Sequence, residues 1–336
     1  FEAPSSWRSN IALDLTLDSG YDITVEYNRD VVDQGVFYQD LGLTKTGQMA
    51  DGRGVYDGAG DFWMTNNDAG GAKAYTFTVG KTFGDVKLYA AYTNMEAMDV
   101  YPLTSTQAES SYGYTQRYDG ENLEAARSSF MVEHKFLATL DYTAQLIGNN
   151  DTRFSLVFVR KSGEPYSVTY DESGYNAYNH GGGQFYADYS LVYVPTSASD
   201  PKVSFSSAAA AAAVMDHVNS TGLSEYKGGI APRNAFTSPW YSRLDLRITQ
   251  NFNVMDDHKV IVYFDILNLL NYIDDEKGIV KEYNYNTSRQ ILTSGVTSDA
   301  SPKYIYTGVD ADDSLYIQNG DGQSAWQMNL GFKYQF

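Results

Sequence analysis

The last eleven residues constrain the fold more than any other stretch of this chain. Read in twos, Trp326, Met328, Leu330, Phe332, Tyr334 and Phe336 form one face, and Gln327, Asn329, Gly331, Lys333 and Gln335 the other. A β-strand sends successive side chains to opposite faces, so these residues build one apolar wall and one polar wall. A half-buried strand of a soluble sandwich alternates in the same way, but such strands run only about 5–6 residues. Alternation this long fits a strand that crosses a membrane.

Other segments repeat the pattern. Ile11, Leu13, Leu15 and Leu17 alternate with polar or small residues, and after Ser19-Gly20 so do Tyr21, Ile23, Val25 and Tyr27. Tyr75, Phe77, Val79 and Phe83 lead through Gly84-Asp85 to Val86, Leu88, Ala90 and Tyr92. Phe136, Ala138, Leu140 and Tyr142 lead through Gly148-Asn149-Asn150-Asp151 to Phe154, Leu156 and Phe158. Trp240, Leu244, Leu246, Ile248 and Phe252 oppose Tyr241, Arg243, Asp245, Arg247 and Thr249. A strand from Lys259 to Tyr272, apolar on both faces, follows Asp256-Asp257. This gives about nine strands. Short turns near 18–21, 84–86, 147–152 and 253–258 alternate with long connections near 31–72, 97–130, 163–237 and 273–323. Up-and-down barrels of the outer membrane have short periplasmic turns and longer outer loops, whereas connections beyond about 15 residues are uncommon in compact soluble domains.

Composition agrees. The 336 residues carry 24 Lys and Arg against 42 Asp and Glu, a net charge of −18, with no cysteine and 29 tyrosines. The acidic surplus argues against nucleic acid as a partner, since phosphate contacts need clustered cations. Without cysteine, disulfide scaffolds, thiolate zinc sites and Cys nucleophiles are excluded. A mean hydropathy of −0.40 beside 15% aromatics suits either an aromatic-rich soluble sugar-binding β protein or a membrane barrel, in which only alternate residues face lipid. The longest plain apolar run, Ala208 to Met215, is too short for a membrane helix of about 18 residues or more. The chain opens on Phe1 with no basic-then-apolar leader, and nothing in its composition divides it into domains.

The segment Ser238-Pro-Trp-Tyr-Ser-Arg-Leu-Asp-Leu-Arg-Ile248, the segment Val260-Ile-Val-Tyr-Phe-Asp-Ile-Leu-Asn-Leu-Leu-Asn271 and a terminal strand closing on Phe336 resemble the last strands of TonB-dependent outer-membrane receptors. Lys161-Ser-Gly-Glu-Pro-Tyr-Ser167, Leu191-Val-Tyr-Val-Pro195 and Lys227-Gly-Gly-Ile-Ala-Pro-Arg-Asn234 are similar to the Oar-like subgroup. The resemblance covers the stretch from about Glu133 to Phe336. It implies an integral outer-membrane protein of a Gram-negative cell, with a barrel of roughly 22 strands. It further implies an N-terminal plug, energy from the TonB complex, and uptake of a bulky solute such as a peptide, glycan or metal chelate. The fold expected is therefore all-β, an antiparallel up-and-down transmembrane β-barrel. Residues 1–336 would be its C-terminal part, with the plug and the earlier strands absent; an odd strand count points the same way, because single-chain bacterial barrels are even.

Candidate sites follow from residue type and place. Catalysis is poorly supported: His134, His180, His217 and His258 share no metal-like spacing, and no nucleophile elbow or phosphate-cradling glycine loop is present. Arg243, Asp245 and Arg247 lie opposite an apolar face and should face the lumen, either touching a plug or solute or forming a cross-strand charge ladder with neighbours such as Asp265. Tyr166, Tyr170, Tyr175, Tyr178, Tyr186, Tyr189 and Tyr193 crowd one outer connection, where they suit capture of a sugar or peptide, or an interfacial girdle with loop packing. Ser206-Ser207 before Ala208 to Ala213 predicts a short capped helix in the same connection, ended by Gly222. Asp310, Asp312 and Asp313, with Asn319 and Asp321, form an acidic loop that is a weak Ca²⁺ candidate and otherwise a solvated loop. No other cofactor is expected. Phe332, Tyr334 and Phe336 resemble the signal read by the barrel-assembly machinery and also fit an aromatic girdle. An adhesion or surface-assembly protein, its loops engaging a surface partner, is the alternative reading of function. An outer-membrane enzyme on a smaller, complete barrel is a third.

Overall fold

The structure, a computed structural model, describes residues 1–58, 60–120, 123–171, 189–255, 258–310, 315–317 and 323–336. Among them, nine strands follow one another across a single antiparallel sheet: β1 (Ser5–Thr16), β2 (Tyr21–Asp40), β3 (Gly71–Phe83), β4 (Val86–Asp99), β5 (His134–Ile147), β6 (Asn150–Lys161), β7 (Tyr241–Met255), β8 (His258–Leu267) and β9 (Gln327–Gln335). Each strand pairs with its neighbours in sequence, the pattern of an up-and-down meander. The chain reverses between β3 and β4 at Gly84 and between β5 and β6 at Gly148, with φ of 57° and 58°. Glycine enters that left-handed region without steric cost, so two residues suffice for each turn.

Register converts the alternation of each strand into continuous bands. Leu88, Leu140, Leu156, Leu246, Ile266 and Met328 are successive cross-strand partners, as are Val25, Phe77, Tyr92 and Phe136. A slip of one residue in any pair would turn a strand's apolar set onto the polar wall. The apolar face has no protein over it: Ile11 is 72% exposed, Leu330 77% and Phe332 80%. Patches of more than a few hundred Å² are rare on soluble monomers, so this face demands an apolar solvent. From Trp326 to Phe336 the apolar residues of the last strand span ten steps of about 3.3 Å, and at a tilt of about 40° this matches an apolar band about 25 Å tall.

Rings edge the band at both ends. Tyr27 meets Tyr75 at 4.9 Å between centroids, Tyr92 meets Phe136 at 4.6 Å and Tyr272 meets Trp326 at 5.2 Å. At the short-turn end Tyr142 lies 6.3 Å from Phe154, and Tyr334 lies 6.0 Å from Phe336. Cations on the apolar face occupy its rims, where they extend toward water. The Lys81 ammonium sits 4.0 Å above the Tyr21 ring, and the Arg160 guanidinium 5.3 Å from Trp240. No described helix is long and apolar enough to cross a membrane.

The long connections carry structure of their own. β2 continues to Asp40 and pairs there with Phe62–Asn67, so part of the 31–72 connection is strand. The strand expected over 259–272 stops at Leu267, where Asn268 takes a left-handed conformation (φ 55°) and one helical turn, Leu269–Ile273, follows. Asn268 is fixed there by donating its amide hydrogens to Gly278 O (2.8 Å) and, from its backbone, to Asp245 Oδ1 (2.7 Å).

Most of these connections fold together into a lobe at one end of the sheet. Its own sheet runs Ser204–Phe205, Tyr304–Val309, Thr287–Val296, Pro165–Asp171, Phe236–Thr237, and two of its ladders are parallel, unlike the membrane sheet. The helix Ala208–Ser220 packs on it through Ala210, Ala211, Val214 and Val218, a stripe at helical spacing. Ser207 caps the helix, its Oγ accepting from the Ala210 amide at 3.0 Å. The helix ends at Ser220 rather than at Gly222, and Thr221 closes it by donating to His217 O at 2.9 Å.

Placing a charge on the apolar band tests the assignment. Leu156→Arg, in the middle of its row, is expected to lower the stability of the bilayer-inserted protein by about 2–4 kcal/mol. Ser155→Arg, on the polar wall, is expected to change it far less. Denaturant titration of both variants in lipid vesicles reads the difference, and equal effects would contradict the orientation.

Candidate functional site

The polar wall carries a row of partners across six strands: Lys87, Asp141, Ser155, Arg247, Asp265 and Asn329. Arg247 forks onto Asp265, with Nε to Oδ1 at 2.6 Å and Nη2 to Oδ2 at 2.8 Å. Asp141 accepts from Arg153 Nε at 2.9 Å and from Ser155 Oγ. Arg243 donates to Asp245 at 2.7 Å along its own strand. Of these residues Arg153, Ser155, Asp245, Arg247 and Asp265 line a concavity of about 580 Å³. Arg247 is more than half exposed, so these pairs fix orientation more than they stabilise, each contributing roughly 0–1 kcal/mol. Such a wall offers a solute fixed dipoles and mixed charge.

The tyrosines offered as capture residues are placed otherwise. Tyr170 and Tyr189 are buried in the lobe, Tyr170 with no exposed surface at all. They are core residues, a correction to the sequence reading, because a solute reaching them would have to open the lobe. Tyr166 is half-buried, its ring 4.4 Å from Tyr283 and 5.6 Å from Phe236. Tyr175, Tyr178 and Tyr186 lie outside the described residues. A buried phenol must keep a hydrogen-bond partner, and here the hydroxyls partner one another. Tyr170 and Tyr306 share a hydrogen bond of 2.8 Å; Tyr306 donates to Tyr193 O at 2.6 Å, and the Tyr193 amide donates to the Tyr170 hydroxyl at 2.9 Å. Burial pushes the Tyr170 hydroxyl up to about 12, despite the opposing charge of Arg53.

Arg53 is the residue that the sequence pattern did not single out. It is fully buried, 4.9 Å from the Tyr304 ring centroid and 5.5 Å from that of Tyr170. It donates to Asp51 Oδ2 at 2.8 Å and to Leu191 O at 2.9 Å. Arg53 comes from the first long connection, Tyr170 and Leu191 from the third and Tyr304 from the fourth, so one cation ties three segments together. A lone basic residue between glycines gives no periodic signal by which to find it.

The three sequence blocks 161–167, 191–195 and 227–234 meet at the base of the lobe. Val194 donates to Gly229 O at 2.8 Å and Ala231 to Val192 O at 3.0 Å, which pairs the second block with the third. Asn234, at φ 56°, donates from its side chain to Arg127 O at 2.6 Å and to Ser129 Oγ at 3.1 Å, and its amide donates to Ser167 Oγ at 2.9 Å. Arg233 pairs with Asp99 at the end of β4 (3.0 Å). In the first block, a side chain on Gly163 would strike Ser238 O at 2.3 Å. These motifs are the joint between lobe and membrane sheet.

Among the described residues no group of three His, Asp or Glu forms a metal cage. Asp310 donates from its backbone to Gln290 O at 3.1 Å, while Asp312 and Asp313 lie outside the described residues. Phe332, Tyr334 and Phe336 project from the apolar face of the sheet's last strand, Phe336 being 91% exposed.

A family model described as outer membrane beta barrel domain matches residues 16–274. The chain belongs to this outer-membrane β-barrel family. It is therefore an integral outer-membrane protein, its apolar face in contact with lipid. As a rule such barrels keep their short turns periplasmic and their longer loops outside. No curated protein matches the chain. A solved structure that it resembles is the NanC porin in a rhombohedral crystal form, at 8% identity over 79% of this chain and 86% of that one; the TM-score is 0.18, too low to carry an argument.

The lobe's buried chemistry predicts its response to base. A phenol whose pKa rises on folding stabilises the fold fully below its ordinary value of about 10 and loses that contribution as pH climbs through the folded value. Near-ultraviolet circular dichroism of the tyrosines is expected to collapse between about pH 10 and 12 while the strand signal persists. Arg53→Ala, which strands buried Asp51, is expected to cost the lobe about 3–5 kcal/mol. A variant with unchanged tyrosine signal and protease resistance would contradict the role given to Arg53.

Proposed function

We propose that this chain is the C-terminal barrel segment of a TonB-dependent receptor of Oar-like type, taking up a bulky extracellular solute. The observation that carries the reading is the open sheet. β1 and β9 each pair on one side only, and no ladder joins them among the described residues. In hydrocarbon each unpaired backbone group costs several kcal/mol, so an open edge does not persist there. Further strands completing the circle, as the resemblance implies, satisfy both edges. The mixed-charge wall supports a wide lumen around a plug, since a narrow barrel would fill that face with packed side chains. On this reading a plug makes the contact with the TonB complex. Phe332, Tyr334 and Phe336 serve, on the same reading, as the assembly signal as well as girdle.

A second reading is favoured by the lobe. Its hydrophobic core gathers Met49, Tyr193, Val214 and Tyr306 from separate connections, and a rigid ectodomain of that kind suits contact with a surface partner protein. Deleting residues 197–226 would separate the two, by loss of uptake or by loss of adhesion alone.

The test is isolation of the native polypeptide, with everything its gene encodes, from solubilised envelopes. On the receptor reading it co-isolates with the periplasmic domain of TonB and conducts no ions in a planar bilayer. Open, ion-conducting pores with no TonB contact would overturn it.

A further inference from the structure

Two buried arginines at the base of the lobe are left partly unsatisfied. Arg117 is 4% exposed and Arg233 5%. Arg117 donates from Nε to Thr115 O at 3.2 Å, and its guanidinium lies 3.8 Å from the Tyr112 ring centroid. Arg233 spends Nη2 on the carbonyl and the carboxylate of Asp99, the latter at 3.0 Å. In both residues Nη1 is buried with no hydrogen-bond partner. Both line one pocket of about 210 Å³, with apolar walls that include Ala125, Leu191, Ile230 and Pro232. Glu124 lines the same pocket but reaches neither Nη1.

The electrostatics favour an anion. Burial lowers the Arg233 pKa, its pairing with Asp99 opposes this, and the neighbouring charge of Arg117 lowers it further. Arg233 is offset by Asp99, but Arg117 forms no ion pair among the described residues, and Glu124 is the one carboxylate in the pocket lining, so two buried cations face one acidic side chain there. Guanidinium donors match a carboxylate in geometry as well as charge. Arg117 is held through Nε and its stacking on Tyr112, and Arg233 through Nη2, so both guanidinium groups are largely ordered before anything binds. The volume exceeds several times the share of one water, roughly 30 Å³, so a single solvent molecule does not fill the pocket.

We propose that Arg117 and Arg233 form a binding site for a carboxylate on a small apolar body, their guanidinium groups holding the head and Ala125, Leu191, Ile230 and Pro232 the body. The site stands on this pocket alone and is independent of how any solute crosses the membrane. A free organic acid and the C-terminus of a hydrophobic peptide present the same chemistry.

Calorimetric titration of the full chain in detergent micelles tests it, with benzoate and its neutral isostere benzamide as probes. Benzoate is expected to bind one per chain and benzamide not at all. Arg117→Gln should weaken benzoate by about tenfold or more, the loss of one charge-assisted hydrogen bond. Ala125→Phe, which fills the pocket from its apolar side, should abolish binding while the protein keeps its heat-modifiable migration; it decides the matter if Arg117→Gln fails to fold. Free-acid and amidated hydrophobic tripeptides form the second arm. Free-acid peptide binding more tightly than benzoate assigns the site to a peptide end, and the reverse to an organic acid. Equal binding of benzoate and benzamide, no binding of benzoate, or benzoate binding that survives Ala125→Phe would each overturn the proposal.

Discussion

A peptide group in hydrocarbon has no water to bond, so every amide and carbonyl of a membrane-crossing strand must find its partner in the next strand. That obligation organises the lower part of this molecule. It fixes the strands side by side, and the period of two then decides where each side chain points. Because the rows from Leu88 to Met328 are in register, the apolar residues make one uninterrupted band and the charged residues one wall. The Arg247–Asp265 fork and the Asp141 pairs are consequences of that register. The same obligation makes the unpaired sides of β1 and β9 the most telling feature of the sheet.

Outside the membrane the constraint lapses and different chemistry takes over. The lobe admits parallel ladders, a helix and a core assembled from residues as far apart as Met49 and Tyr306. Burial there follows the soluble rule, in which apolar side chains leave water and the polar atoms that go with them are partnered. The hydroxyl chain of Tyr170, Tyr306 and Tyr193 obeys it, and Arg53 does so except at one nitrogen. Arg117 and Arg233 likewise leave one nitrogen each without a partner, and what sets them apart is that both line one pocket with apolar walls.

What the sequence made legible follows from range. Alternation is local, so the positions of the membrane strands, the short turns at Gly84 and Gly148 and the Ser207 cap could all be read from a few neighbouring residues. The end of β8 could not, because Asn268 stops the strand through Gly278 and Asp245, ten and twenty-three residues away. The tyrosines misled for a related reason. A tyrosine facing a solute and one closing a core have the same spacing, and only partners in distant connections distinguish them. The three motif blocks were visible as strings, yet their meeting as a joint depends on pairings such as Val194 with Gly229 and Asn234 with Arg127.

We infer that the strands cross the outer membrane with the lobe outside and the short turns in the periplasm, as is the rule for such barrels. The chain has no cysteine, so a single introduced thiol reports its own side. Ala198, exposed on the lobe, and Asp85, exposed at the turn between β3 and β4, are suitable positions. With a membrane-impermeant maleimide on intact cells, Ala198→Cys is predicted to label at once and Asp85→Cys only after the outer membrane is broken. Labelling of Asp85→Cys in intact cells, with Ala198→Cys protected, would contradict the account.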